Sequence, residues 1–269
     1  MIKLIASDMD GTLLDENKRL PREFFGLLSR LGEKGVTFVA ASGRSYCTLK
    51  ENFAPHSDQL TYICDNGACV VEHGVMTETD SLDRRDILAV LEACQGISHI
   101  NLILCGAQSA HVLPYSKEFI DEVDRYYVNR ALTQDLAAVQ DDIFKIAICD
   151  RSNAARNSYP ILKPLFEERL ELVVSGEWWM DVMNKGVSKG AALKKLQRRL
   201  GVSPEETMVF GDFYNDVEML RQAKYSFVME NANEDMKQYG NFIAKSNREH
   251  GVLQAIEEHV FHSNLMDAS

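Results

Sequence analysis

Five consecutive residues near the start of the chain, Asp8-Met9-Asp10-Gly11-Thr12, carry the first chemistry. Carboxylates at i and i+2 point to the same side of an extended backbone. Like charges held that close are costly unless a cation or a proton sits between them. Gly11 permits a sharp exit from the preceding strand. Asp-Gly is also an ordinary turn dipeptide, so the pair gains meaning from three further segments. Ser42-Gly43-Arg44 offers a hydroxyl and backbone N–H groups at a strand end, a cradle for an anion. Lys189, in Val187-Ser188-Lys189-Gly190, opens a predicted helix; on composition alone such a lysine belongs on the solvated surface. Gly211-Asp212-Phe213-Tyr214-Asn215-Asp216 supplies acidic and amide oxygens, the hard ligands that suit Mg²⁺.

These four segments need elements that bring them together. Apolar runs at Ile2 to Ser7, Val36 to Ala41, Tyr62 to Cys64, Thr207 to Phe210 and Ser226 to Met229 read as strands. Helical spacing marks Pro21 to Glu33, Ser188 to Leu200 with Gly201 as its stop, Asp216 to Gln222, and Gly251 to His259. Alternation of this kind predicts a doubly wound parallel sheet, which places ligands at the carboxyl ends of its strands. The middle of the chain repeats the pattern separately. Helices are expected at Asp83 to Cys94, Lys117 to Val128 and Ala154 to Arg169, the last broken at Pro160 and Pro164. Strands are expected at His99 to Cys105, Ala110 to Leu113 and Ile143 to Cys149, with a hairpin of Leu170 to Val174 and Trp178 to Met183. The predicted architecture is therefore α/β: a Rossmann-like doubly wound core from segments 1–81 and 186–269, interrupted by a smaller α/β domain over 82–185. The final residues read as a frayed tail.

Composition narrows the classes of function. The chain has 269 residues, 45% apolar and 26% charged, ordinary values for a globular protein. A formal charge of −11 and a pI near 5.1 disfavour nucleic-acid partners, which demand a basic face. An anionic substrate must then be held by local positive groups against an unfavourable overall field. No apolar run approaches a membrane span, and no secretory leader is visible, so a cytoplasmic protein without a membrane partner is expected. The six cysteines form no C-x-x-C pair, and several lie in apolar runs, as buried thiols do in a reducing compartment.

The order and context of the four segments resemble the haloacid dehalogenase superfamily of phosphotransferases, whose four motifs are matched without a gap. The likeness is closer to its Cof-type sugar phosphatases, through Asp65-Asn66-Gly67-Ala68, Gly186 to Gly190, Asn231-Ala232 and Gly251-Val252. It runs through both core segments, and the middle block matches in position and size the large α/β cap of that subfamily. The resemblance implies a Mg²⁺-dependent hydrolysis of small phosphomonoesters, sugar phosphates among them, through an aspartyl-phosphate. It makes Asp8 the nucleophile and Asp10 the general acid and base. Mg²⁺ would bind the Asp8 carboxylate, the Asp10 carbonyl and Asp212, with Asp216 supporting the metal from behind. Ser42, the Met9 and Gly43 amides, Lys189 and Asn215 would hold phosphate oxygens. The Phe213-Tyr214 pair departs from the small residue that many relatives carry there, which bears on substrate shape.

For the leaving group, Arg44, Trp178 and Trp179 are candidate contacts. Adjacent tryptophans on a strand face opposite sides, so one belongs to a core and one could stack on a sugar or a ring. Partners beyond a small phosphate ester are not expected, other than further copies of the chain, as a monomer or small homo-oligomer. A phosphomutase or phosphotransferase of the same superfamily would use the same residues and differ in the acceptor. A phospho-acceptor switch is the alternative of another class. Asp10 separates the two, because a switch that must keep its phosphate has no use for an acid and base beside it.

Overall fold

The computed structural model describes residues 1–262, and the tail expected at the end of the chain lies outside them. Among the described residues the chain divides into two compact units, 1–43 with 49–77 and 188 onward, and 44–48 with 78–187.

In chain order the first part contributes β1 (Leu4–Asp8), α1 (Phe24–Glu33), β2 (Thr37–Ala41), α2 (Tyr46–Asn52), β3 (Thr61–Cys64), β4 (Cys69–Glu72) and β5 (Val75–Thr79). The middle holds α3 (Arg84–Cys94), β6 (Ile100–Gly106), β7 (Ala110–Val112), α4 (Lys117–Val123), β8 (Arg130–Leu132), β9 (Ile143–Asp150), α5 (Ser158–Phe166), β10 (Leu170–Val174) and β11 (Trp179–Asn184). The chain then adds α6 (Lys189–Leu200), β12 (Thr207–Gly211), α7 (Val217–Leu220), β13 (Tyr225–Met229), β14 (Phe242–Ala244) and α8 (Gly251–Ile256).

The strands of the first unit form one sheet in the order β14-β13-β12-β1-β2-β3-β4-β5. It is parallel from β14 to β3, and β4 turns back antiparallel. The central strands are buried at nearly every position because both faces are covered. Leu4, Ala6, Val39, Val209 and Val228 pack on one side against Leu193 and Leu196 of α6 and Met219 of α7. On the other side Phe24 of α1 stacks edge-on against Phe38 and beside Phe53 at the end of α2. Helices on both faces make the sheet doubly wound, as the alternation of elements predicts.

The second unit has its own sheet, in the order β10-β11-β9-β6-β7-β8, antiparallel except between β7 and β8. Its core gathers Ile146 and Ile148 of β9 with Ile87 and Val90 of α3 and Leu162 of α5. Two local expectations change. The proline-rich helix is not broken: α5 simply starts later, at Ser158. That puts Pro160 in the first turn, where no N–H is needed, and only Pro164 removes an internal bond. The helix expected to reach Val128 stops at Val123. Beyond it, the Thr48 hydroxyl donates to the Tyr126 carbonyl at 3.0 Å and accepts from the Val128 N–H at 3.5 Å, which holds that stretch as a turn. Cys64, Cys69, Cys94, Cys105 and Cys149 are buried. Among the described residues no helix is long and apolar enough to cross a membrane.

Candidate active site

Three loops of the first unit leave adjacent parallel strands at their carboxyl ends. β1 ends on Asp8, β2 runs into Ser42-Gly43, and β12 runs into Asp212; Asp8 lies beside Ala41, and Ser7 beside Phe210. The start of α6 adds Lys189. Its N-cap is Ser188, whose hydroxyl accepts from the Ala191 N–H at 3.0 Å, so the first residue of the helix has a defined direction.

Lys189 is not a surface residue. It is 1% exposed, and its Nζ donates to Asp8 Oδ1 at 2.6 Å and to Asp216 Oδ1 at 2.7 Å. The other oxygen of Asp216 accepts from the backbone N–H groups of Asp212 and Phe213, both at 3.1 Å. Asp216 therefore ties the lysine to the loop that carries Asp212. The Thr12 hydroxyl donates to Asp212 Oδ1 at 2.8 Å and links that loop to the first motif. Gly11 has φ +86°, and a Cβ on it would overlap the Asp212 carboxylate, so only glycine fits there.

One ammonium faces three buried or half-buried carboxylates, Asp8, Asp212 and Asp216, whose oxygens lie within 4.8 Å of one another. The formal excess of two negative charges shows in the acidities. Burial pushes the Asp8 carboxyl well up, and Asp216 and Asp212 add to the rise against the pull of Lys189. Burial, with Asp216 beside it, raises Asp212 to about 6. Burial opposes the charge on Lys189, yet Asp216 and Asp8 hold its pKa above the ordinary value. Clustered hard oxygens with uncompensated charge are a donor set that fits a divalent cation such as Mg²⁺.

Asp10 stands apart from this cluster. Its side chain is 43% exposed, and an oxygen lies 4.0 Å from Lys18 Nζ. Met9 between the two aspartates is buried, and its carbonyl accepts from the Leu14 N–H at 2.9 Å. Ser42 is buried; its N–H donates to the Ile63 carbonyl at 2.8 Å and its own carbonyl accepts from Asn66 at 3.0 Å. The Asn66 side chain also meets Asn215 and approaches Gly43. Asn215 Nδ2 donates to its Oδ1 at 3.2 Å, and a Cβ on Gly43 would lie 3.1 Å from the same oxygen. Arg44, Trp178 and Trp179 belong to the second unit, and the carboxylate cluster is built without them. Trp178 is 43% exposed, while the Trp179 ring meets Tyr126 edge-on at 5.8 Å.

Thr12 and Asn66 are participants that the motif pattern does not single out. Thr12 is visible as part of the first motif, and Asn66 in the Asp65-Asn66-Gly67 turn, whose first two residues take positive φ. Neither signal says which partner the side chain reaches.

Residues 5–256 match the family of haloacid dehalogenase-like hydrolases. Over 272 residues the chain is 32% identical to 5-amino-6-(5-phospho-D-ribitylamino)uracil phosphatase YbjI of Escherichia coli (strain K12), covering 99% of each. It is 27% identical to the phosphatase of the same name, YcsE, from Bacillus subtilis (strain 168), covering 96% of each. The crystal structure of SMU.1108c from Streptococcus mutans UA159 superposes with a TM-score of 0.88 at 29% identity, over 97% of this chain and 99% of that one. The chain belongs to the haloacid dehalogenase superfamily, in its Cof-type branch. Within that branch it is an enzyme of the phosphatase class.

Proposed function

We propose that the chain is a Mg²⁺-dependent phosphatase that hydrolyses a small alkyl phosphomonoester through a phosphorylated Asp8. The observation that carries this is the buried cluster of Asp8, Asp212 and Asp216 around Lys189, at the carboxyl end of the central strand. The Asp8 carboxylate attacks phosphorus, and the bond from phosphorus to the ester oxygen breaks. Asp10, solvent-facing and next but one to Asp8, gives its proton to the departing alcohol oxygen. A water then attacks the phosphorus of the aspartyl-phosphate and loses a proton to Asp10. The acyl phosphate bond breaks, Asp8 is restored as a carboxylate, and inorganic phosphate leaves. Lys189, the Ser42 hydroxyl, the Met9 and Gly43 amides and Asn215 hold the phosphoryl oxygens, where charge spreads during transfer. Asp8, Asp212 and the Asp10 carbonyl would hold Mg²⁺, with Asp216 behind them, and the ion offsets repulsion between the anionic nucleophile and the anionic ester.

Two relatives named as ribitylaminouracil phosphatases support the reading of the substrate class. Such a substrate is the phosphate of a primary polyol alcohol bearing a heterocycle. An alkyl alcohol leaves poorly as its anion, so it needs the proton that Asp10 supplies. Phosphate release is measured from a panel of hexose and pentose phosphates, nucleotides, flavin and pyridoxal phosphates and 5-amino-6-(5-phospho-D-ribitylamino)uracil. Each is run with Mg²⁺, with EDTA and with the Asp8→Asn variant. Metal-dependent release that vanishes in the variant is expected, strongest on the ribitylaminouracil ester. Release that persists in Asp8→Asn or in EDTA overturns the mechanism. A preference for hexose phosphates overturns the substrate assignment alone.

A further inference from the structure

Asn231-Ala232 and Gly251-Val252 resemble stretches of Cof-type relatives, yet none of these residues belongs to the carboxylate cluster. Asn231 follows β13 and Asn247 follows β14, so both stand beyond the carboxyl ends of neighbouring parallel strands. Asn231 Nδ2 donates to the Gly11 carbonyl at 2.8 Å, and Asn231 Oδ1 accepts from the Asn247 backbone N–H at 3.0 Å. Asn247 Nδ2 donates in turn to the Leu14 carbonyl at 2.9 Å, from a side chain that is largely buried. Asp10 pairs with Leu14 in a β-bridge and immediately precedes Gly11. The loop that leaves Asp10 is therefore pinned at two carbonyls, that of the residue following Asp10 and that of its β-bridge partner.

The turn that presents Asn247 is itself built tightly. His250 is left-handed at φ 57°, and the Gly251 N–H donates to the Ser246 carbonyl at 3.1 Å. A Cβ on Gly251 would overlap the Lys245 carbonyl, so a side chain there would push the turn away from Leu14. Each carboxamide uses its N–H to grip a carbonyl of the loop, and Asn231 also uses its oxygen to align Asn247. An aspartate at either site keeps the shape but sets a carboxylate oxygen against a carbonyl.

We infer that Asn231 and Asn247 are a positioning relay for Asp10, holding its loop where the carboxylate can pass a proton to and from the ester oxygen. The inference rests on the acid and base role proposed above for Asp10. Proton transfer needs hydrogen-bond reach, and a displacement of roughly 1 Å can cost about 10²-fold in rate.

The test exploits the leaving group. p-Nitrophenolate departs as an anion without a proton, whereas a sugar alkoxide does not. kcat/KM reports the transfer to Asp8 and is measured for p-nitrophenyl phosphate and for the best-used member of a hexose and pentose phosphate panel. Wild type is compared with Asp10→Asn, Asn231→Asp and Asn247→Asp. The relay predicts that all three variants lose at least tenfold more on the alkyl ester than on the aryl ester. Equal losses on both esters in the asparagine variants, or no loss, with the bias present in Asp10→Asn, would overturn the relay and leave the Asp10 role standing. Absence of the bias in Asp10→Asn itself removes the acid role, and with it the relay. Asn231→Ala, at an exposed position, carries the same comparison if Asn247→Asp does not fold.

Discussion

The Lys189 ammonium lies 2.6 Å from the Asp8 carboxylate, and both are shut away from solvent. Breaking a buried ion pair from one side costs about 3–5 kcal/mol, because the remaining charge stays in place without its partner. Lys189→Met leaves three carboxylates facing one another. In EDTA at pH 7 its unfolding free energy is expected to fall by about that amount. Denaturant titration measures it, and a loss below ~1 kcal/mol would mean that the lysine does not balance the cluster.

Asp212→Asn removes one of the charges that burial and Asp216 make costly. The Thr12 hydroxyl can still donate to the amide oxygen. In EDTA the variant should therefore match or exceed wild type in stability. With Mg²⁺ the order reverses, since a ligand at about 100 times its Kd adds roughly 2.7 kcal/mol to the protein that binds it. Thermal melts with and without Mg²⁺ check both signs, and an undiminished Mg²⁺ shift in the variant would place the cation elsewhere.

Removal of each motif-one carboxylate separates two roles. Asp8→Asn is nearly isosteric and should leave a folded protein with no measurable turnover. Asp10→Asn should slow each proton-transfer step by about 10²–10⁴-fold. Circular dichroism confirms folding, and rapid quench with a labelled ester counts phosphoenzyme. Phosphoenzyme that still forms on Asp8→Asn would assign the nucleophile to another residue.

In the second unit, the buried Asp150 supports stability in a pH-dependent way. Burial works to raise its pKa, but contacts with Ser158, Asn157 and Ser152 outweigh that and hold it below the ordinary carboxylate value. Its oxygens accept from the Ser158 N–H at 2.9 Å, Asn157 Nδ2 at 3.1 Å and the Ser152 N–H at 2.9 Å, fastening the entry to α5. A lowered folded pKa means that the contribution is complete above the unfolded value near 4 and is lost as pH falls through the folded value. Asp150→Asn should cost about 1–2 kcal/mol at pH 7, and the gap to wild type should close below pH ~4. A gap that is constant with pH would assign the cost to packing.

Gly11→Ala meets two obstacles together, a backbone at φ +86° and the Asp212 carboxylate in the space of the new methyl group. Left-handed backbone alone costs a β-carbon residue about 1–3 kcal/mol. Because Asp212 must move aside, the variant should also lose most of its Mg²⁺-dependent thermal shift. A destabilised variant with an unchanged shift would show that the loop relaxes without disturbing Asp212.

Much of the core was legible because its signals are local. β1 is a short, mostly apolar run that ends on Asp8, β12 is another that runs into Asp212, and the helix over Ser188 to Leu200 has a serine cap and a glycine stop at the ends where the structure puts them. The strands without such a signal are β8 and β14, three residues long, β4, four residues long, and β5, which is mostly exposed. Strands that short have no room for a periodic pattern, and only pairing with a neighbour makes them strands.

Residue types, their order and their place after strands are properties of the chain itself, and they determined the doubly wound core and the set of carboxylates that could do chemistry. Which of those groups meet was decided in three dimensions. Lys189 is a surface residue by composition and a buried one by packing, since only the folded sheet sets two aspartates around it, 181 and 27 residues away along the chain. Asn66, Asn231 and Asn247 are ordinary turn asparagines until they reach across 149, 220 and 233 residues to Asn215, Gly11 and Leu14. A local pattern reports the conformation a segment prefers, whereas a hydrogen bond between distant segments exists only after the sheet has brought their ends together.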